Sequence, residues 1–129
     1  MGALRQLAIF LGIFMLLCVP GKLTHAQTIE HAVIVHFNYG SKDLTRLFAL
    51  EDKLESAISK ADVGEYDGNE IAADGSDGFL YMYGPDADRL FSVVKPILDD
   101  TPFMRGAKVT LRYGSPKDGV KEKIIVINP

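Results

Sequence analysis

A short strand-like stretch of the chain carries side chains that can do chemistry. In AVIVHFNYG, residues 32–40, His36 and Asn38 interrupt an otherwise apolar and aromatic run. A histidine beside carboxylates or phenols can exchange protons near neutral pH, so His36 is a candidate for acid–base chemistry or ligand contact. Polar residues are also ordinary in a strand whose second face meets water. The sequence leaves both interpretations open.

The other residues with metal-binding chemistry do not form a metal-binding pattern. His31 and His36 are five positions apart, which places them on opposite faces of one strand. Cys18, the single cysteine, lies in the N-terminal segment. An EF-hand loop that started at Asp67 would place Ile71 at a ligand position, so its spacing fails. We therefore expect no metal and no other cofactor.

The acidic turn DGSDG, residues 74–78, has a simpler explanation than calcium binding. Aspartate and glycine are the residues that tight turns favour for their backbone conformations. Ser76 is followed by a glycine two positions on but preceded by Asp74, so the nucleophile elbow of serine hydrolases is missing. A phosphate-binding glycine loop is also missing. No residue is assigned a catalytic role.

The N-terminus has the pattern of a secretory signal peptide. Arg5 precedes an unbroken apolar run, residues 7–19, and a Pro-Gly pair then leads to Ala26 at a plausible cleavage point. A run of this length makes about 20 Å of helix, short for a bilayer core of about 30 Å. We predict a signal peptide over residues 1–26 and a periplasmic or secreted domain over 27–129. An uncleaved segment would instead anchor the chain in a membrane, and bulky Leu17 before the cysteine argues against lipidation.

Removal of that segment leaves an acidic, cysteine-free domain. Without Arg5 and Lys22, 12 basic residues face 17 acidic ones, a net charge of −5. The domain has no disulfide, so its hydrophobic core must hold it together, and about 100 residues suffice for one core. An acidic, exported domain is a poor partner for nucleic acid, and we expect no membrane contact after cleavage. The glycine and aromatic signature of RNA-recognition modules is missing as well.

Periodicity predicts two helices, each with one apolar stripe. The first covers residues 43–61, with Ser41 or Asp43 as its cap. The second starts at Pro85, which suits the first helical position, and contains Pro96, where we expect a kink or an end just before it. The apolar positions of the first helix are Leu44, Leu47, Phe48, Leu54, Ala57, Ile58 and Ala61, and those of the second are Leu90, Phe91, Val94, Ile97 and Leu98.

Alternating segments predict the strands around these helices. They are the stretch from Ala32 to Tyr39, a hairpin of residues 65–72 and 79–83 with a bulge at Gly68, a strand over 108–113, and a final strand within 120–127. The order β-α-β-β-α-β resembles the ferredoxin-like fold, an α+β sandwich with two helices on one face of an antiparallel sheet. In that fold the first strand is central, and here an extra C-terminal edge strand follows. Lys121, Glu122, Lys123 and Pro129 would protect that edge from aggregation.

The ferredoxin-like arrangement predicts where the polar strand residues lie. Val33, Val35 and Phe37 should meet the helices, so His36 and Asn38 belong to the uncovered face. The phenol hydroxyls of the third strand favour the same face for Tyr81 and Tyr83. A candidate ligand- or partner-binding patch on the open sheet face therefore comprises His36, Asn38, Tyr81, Tyr83 and Arg112.

Two functions follow from this patch. The first is an exported binding or protein-interaction module that uses its open sheet face toward a protein partner or a second copy of itself. The second is suggested by IEHAVIVHF, residues 29–37, which resembles the opening strand of the dimeric α+β barrel proteins. Some of those are oxygenases or haem-degrading enzymes whose dimers enclose pockets between sheet faces. That resemblance implies a small dimeric enzyme or ligand binder with His36 lining an inter-subunit pocket.

Overall fold

The computed structural model describes residues 30–129, so the predicted signal peptide lies outside the described residues. Residues 30–129 contain five strands, one three-residue 3₁₀ turn and two α-helices: β1 (His31–Asn38), α1 (Thr45–Ala61), β2 (Glu65–Ile71), β3 (Asp77–Gly84), α2 (Ala87–Asp99), the 3₁₀ turn (Pro102–Met104), β4 (Lys108–Arg112) and β5 (Glu122–Val126). Neither helix is both long and apolar enough to cross a membrane.

The strands form one antiparallel sheet in the order β2-β3-β1-β4-β5. The predicted ferredoxin-like α+β sandwich is therefore confirmed, with β1 in the centre between β3 and β4. The predicted extra strand is also confirmed, because β5 pairs with β4 at the edge of the sheet. Two strands therefore lie on either side of β1 in the sheet: β3 and β2 on one side, β4 and β5 on the other.

The hydrophobic core fills the space between the sheet and the two helices. Its members alternate along each central strand, which fixes the facing of all three: Val33, Val35 and Phe37 on β1, Leu80 and Met82 on β3, Val109 and Leu111 on β4. Burial of each such side chain stabilises the fold by about 1.5–3 kcal/mol. A shift of one residue in any of these strands would expose its whole apolar set, so the facing is strongly specified.

The first helix differs from its prediction in two ways: which residues form its buried face, and where it begins. It begins at Thr45, after the cap position Leu44, and neither Ser41 nor Asp43 caps it. The Ser41 hydroxyl oxygen accepts the Asp43 amide at 3.0 Å, and the Asp43 carboxylate accepts the Thr45 amide at 3.0 Å. This hydrogen bond holds the pKa of Asp43 below its usual range. The expectation that Phe48 joins the apolar stripe was wrong, since Leu47, Leu50, Leu54 and Ile58 form the buried stripe and leave Phe48 exposed.

The second helix corrects the expected role of Pro85 and does not end before Pro96. It begins at Ala87, after Asp86, whose carboxylate accepts the Arg89 amide at 3.1 Å, so Pro85 precedes the cap instead of opening the helix. The helix also runs through Pro96 to Asp99. Burial of Leu98 beyond the proline favours this continuation over an end at residue 95.

The β2–β3 hairpin is anchored to the end of β1. Its register shifts between Tyr66 and Gly68, which confirms the predicted bulge. Beyond the hairpin strands, the Tyr39 amide donates to the Ser76 carbonyl at 2.8 Å and the Gly40 amide to the Gly75 carbonyl at 2.7 Å. These bonds hold the start of β3 alongside the end of β1, where two candidate polar residues lie.

Candidate functional site

The uncovered side of the sheet brings most of the predicted patch residues together. His36 lies opposite Phe79 on β3 and Lys108 on β4, and Ala32 lies opposite Tyr83 and Arg112. Tyr81 lies opposite Ile34, between these two rows. Because Leu80 and Met82 are buried, the aromatic residues of β3 occupy the uncovered side, as predicted. We call this surface the open face. Ala32 belongs to the same side of β1 but is fully buried. The open face comprises the other outward residues of the five strands: Glu65, Gly68, Glu70, Asp77, Phe79, Tyr81, Tyr83, Ile34, His36, Asn38, Lys108, Thr110, Arg112, Glu122, Ile124 and Val126.

His36 is held by a carboxylate and by an aromatic ring. Its Nε2 lies 2.8 Å from Oδ2 of Asp77, and the two side chains are 41% and 40% exposed. Its ring stacks on Phe79 with centroids 4.5 Å apart and an interplanar angle of 19°. The sequence interpretation missed Asp77 because it assigned that residue to the turn; a third strand begun two residues earlier would have placed Asp77 on the same face as Tyr81. Phe79 was placed on the open face with the tyrosines, but it was left out of the patch, whose members all carry polar groups.

Tyr81 extends this stack and ends on a second carboxylate. Its ring lies 6.1 Å from that of Phe79, centroid to centroid, at 16°. Its hydroxyl donates to Oε1 of Glu70 on β2. The pKa of Tyr81 is raised to about 12. The largest cause is the hydrogen bond to Glu70, and the next is desolvation of the phenol. His36, Phe79 and Tyr81 thus form a continuous aromatic row on the open face, fixed at each end by a carboxylate.

Replacement of Glu70 with glutamine is expected to move the pKa of Tyr81 from about 12 back toward 10. The neutral amide still accepts a hydrogen bond, but it removes the negative charge that opposes ionisation of the phenol. Tyrosine ¹³Cζ shifts followed by NMR against pH would measure this change. The matched control is Glu51→Gln, because Glu51 accepts from the Tyr66 hydroxyl instead. It should lower the raised pKa of Tyr66 and leave Tyr81 unchanged; a Tyr81 that responds to both variants equally would contradict the assigned cause.

The open face also carries large apolar side chains in water. Ile124 is 65% exposed, Val126 41% and Phe79 36%, and with Phe48 on α1 at 53% they are the large apolar residues exposed among residues 30–129. Ile124 lies opposite Thr110, and Val126 opposite Lys108, so both point to the open face. The sequence interpretation did not assign them to the patch, because their facing depends on how the last strand pairs.

Two members of the predicted patch have a different setting. Asn38 lies at the end of β1, exposed and opposite Asp77 in the register, one position beyond His36 on the same face. Arg112 is partly buried, and its Nε donates to the Gly114 carbonyl at 2.8 Å. Arg112 nevertheless contributes charge to the open face, whereas Asn38 marks its border.

Charges on the open face are segregated by strand. The outward residues of β2 include Glu65 and Glu70, and Asp77 begins the neighbouring β3. The outward residues of β4 are Lys108, Thr110 and Arg112. The carboxylates Glu65, Glu70 and Asp77 therefore lie on the β2–β3 side of the open face, whereas its two cations lie on β4, where Arg112 lies opposite Glu122 of β5.

His31, the second histidine of the domain, lies on the opposite side of β1, and its contacts are structural. His31 Nδ1 accepts the Ala87 amide at the start of α2 at 3.1 Å, and its ring meets the Tyr113 ring edge-on at 5.8 Å. Over residues 30–129, no three His, Cys, Asp or Glu side chains come close enough together to hold a metal ion.

The fold and this surface define a ferredoxin-like α+β domain whose uncovered sheet face is aromatic, apolar and charged by strand. A similar fold is found in the solved structure of Rv0793 from Mycobacterium tuberculosis, with a TM-score of 0.51 and 19% sequence identity. The match covers 70% of this chain and 99% of that one. At this identity the likeness shows the fold alone. No family model and no curated protein matches the chain.

Proposed function

We propose that this chain is an exported protein-interaction domain that binds its partner through the open face. The observation that carries the proposal is the placement of Phe79, Ile124 and Val126, three of the four exposed large apolar side chains, on this one surface. Ile124 and Val126 adjoin on β5, and Phe79 lies in the row of Val126 with His36 and Lys108 between them. Large apolar side chains exposed on one face of a small domain are typical of an interaction surface. The signal-peptide pattern of residues 1–26 supports export.

The polar groups of the open face suit protein contact as well. The aromatic row presents ring surface together with a hydroxyl and an imidazole, a composition that is enriched in interfaces. Tyr81 and His36 are already oriented by Glu70 and Asp77, so less side-chain freedom is lost when a partner binds. The Tyr81 and His36 side chains are therefore already held in place before a partner binds.

A second candidate function rests on the His36–Asp77 pair. A carboxylate that orients an imidazole is a common arrangement in acid–base catalysis, and it would serve a small enzyme or ligand binder with His36 in an inter-subunit pocket. Both side chains are about 40% exposed in the single chain, so this function requires a second subunit to exclude water from them. The exposed apolar residues favour the interaction domain as the primary proposal.

Site-specific photo-crosslinking in cells that express the full chain tests the proposal. A benzophenone amino acid placed at Tyr83 or Thr110, both on the open face, should form covalent adducts with a partner protein. The same amino acid at Ser59 or Ser92, exposed on α1 and α2, is the matched control and should give little adduct. Adducts that form equally from the helices and from the open face, or from the helices alone, would contradict the proposal.

A further inference from the structure

We infer that the helical side of the domain binds a small monocarboxylate ligand with an apolar body. The site is a groove of about 240 Å³ between α1 and residues 100–103, the segment that follows α2 and enters the 3₁₀ turn. Because the helices cover one side of the sheet and the open face is the other, this site is separate from the proposed function. It is carried by the setting of Arg46, by an apolar floor and by the charges at the far end.

Arg46 is held at one end of the groove by two aromatic rings. Its guanidinium carbon lies 5.3 Å from the centroid of the Tyr39 ring and 5.5 Å from that of the Phe103 ring. The two rings meet edge-on at 5.0 Å, and the Tyr39 hydroxyl donates to the Asp43 carbonyl at 2.6 Å, so the Tyr39 ring is itself fixed. Contact with ring faces holds a guanidinium in place without using its N–H donors.

The Arg46 charge has no close carboxylate partner in the described part of the chain, where it makes no ion pair. Asp43 interacts with it only weakly: the pKa of Asp43 is lowered chiefly by its hydrogen bonds to Thr45, and Arg46 is the smallest cause. The edge of a guanidinium presents parallel N–H donors that match the two oxygens of a carboxylate. A ligand carboxylate is therefore the group that this end of the groove fits.

The spacing of the two cations in the groove favours a carboxylate over a phosphate. Lys53 lines the same groove but lies seven residues along α1 from Arg46, which is about 10 Å at about 1.5 Å per residue. Two cations at that separation cannot both bond one phosphate group, which carries up to two negative charges. One guanidinium suffices for the single charge of a carboxylate.

The middle of the groove is apolar. Ala49 and Leu50 lie between the two cations on the same face of α1, and Pro102 and Phe103 belong to the other wall. The groove has the volume of about eight water molecules at about 30 Å³ each, which suits a ligand of about eight to eleven non-hydrogen atoms. Transfer of the ligand's ring or chain from water to this floor favours binding.

The far end of the groove limits the ligand to one negative charge. Lys53 and Asp100 both line the groove, and neither forms an ion pair within residues 30–129. The neighbouring Asp99 is already bonded to Lys95 at 2.7 Å. The Asp100 carboxylate repels a second anionic group but accepts a hydrogen bond from a hydroxyl. The ligand class is therefore a monocarboxylate whose other end is apolar or carries a hydroxyl.

NMR titration of the ¹⁵N-labelled protein tests the site, with the chain expressed in full and its processed N-terminus identified by mass. The probes are 4-hydroxyphenylacetate and hexanoate, each compared with its own neutral amide. Both acids should shift the amide signals of residues 46–53 and 100–103. They should bind about tenfold more tightly than the amides, because only the acids form a charge-assisted bond to Arg46. The absence of these shifts with both acids, or equal binding of acid and amide, would overturn the inference.

Three variants, each checked for folding by circular dichroism, locate the bound acid. Arg46→Gln should bring the dissociation constant of each acid to within about threefold of that of its amide. Ala49→Phe keeps every charge but fills the middle of the groove, and should weaken acids and amides alike about fivefold. Lys42→Gln removes an exposed cation that does not line the groove and should change binding less than about twofold.

Two outcomes with these variants contradict the site. Equal losses for Lys42→Gln and Arg46→Gln would show general attraction of anions to this surface. Acid binding that Ala49→Phe leaves unchanged would place the ligand outside the groove. Either outcome would overturn the inference and would leave the contact surface proposed on the open face untouched, because none of the three positions lies there.

Discussion

Replacement of Phe37 with alanine is expected to lower the free energy of unfolding by about 3–5 kcal/mol. Its side chain is 1% exposed, and its ring contacts Phe103 and Tyr39 with centroids 5.9 Å and 6.3 Å away. Removal of the ring takes apolar surface out of the core and leaves a cavity that a central strand cannot close. Urea denaturation followed by circular dichroism would measure the loss.

His36→Ala, one residue earlier, is the matched control for this loss. The His36 side chain is 41% exposed, and its removal loses one hydrogen bond to Asp77 and one ring stack on Phe79, each worth about 1 kcal/mol. The expected loss therefore stays below that of Phe37→Ala. Comparison of the two losses in unfolding free energy therefore shows which side of β1 packs against the helices. Similar losses for both variants, or a larger loss for His36→Ala, would show that β1 faces the other way and would remove the basis of the open face.

Replacement of Gly75 with alanine is expected to lower the free energy of unfolding by about 2–4 kcal/mol, from backbone strain together with steric overlap. Gly75 has φ of +75°, in the left-handed region, and a Cβ atom there would lie 2.1 Å from the Ser41 carbonyl oxygen. That overlap forces the hairpin loop away from the end of β1, where the Gly40 amide donates to the Gly75 carbonyl. Because this contact holds Asp77 beside β1, the His36–Asp77 bond should loosen too.

Gly40→Ala separates the two contributions. Gly40 has φ of +76°, almost the same conformation, but a Cβ atom there meets nothing within 4 Å. We expect a loss of about 1 kcal/mol, from the left-handed conformation alone. Thermal unfolding of both variants under identical conditions gives the comparison, and equal losses would mean that the loop does not approach β1 as closely as described.

The fold and the facing of the central strands could be predicted from sequence because local patterns encode them. Val33, Val35 and Phe37 alternate with Ile34 and His36, and this alternation places His36 on the side away from the helices. The hydroxyls of the third strand indicated which way Tyr81 and Tyr83 point. Both inferences need only the period of a strand and the requirement that apolar residues be buried.

The contacts that complete the open face could not be predicted, because they depend on register between distant strands. Asp77 reaches His36 across 41 residues of sequence, and the start of β3 decides that contact. Ile124 and Val126 acquire their facing only when β5 pairs with β4. The same holds for Phe48 in the first helix, whose burial could not be read from the sequence. Two overlapping apolar stripes fit the helical spacing, one with Phe48 and one with Leu50, and packing against the sheet buries the one with Leu50.

The central claim is that the open face is the contact surface of this domain, and the photo-crosslinking comparison tests it most directly. The decisive quantity is the adduct yield from Tyr83 and Thr110 relative to that from Ser59 and Ser92, at equal expression. The account predicts adducts with a partner protein that are concentrated at the two open-face positions. Adducts concentrated on α1 and α2 would contradict the account and place the contact surface on the helical side.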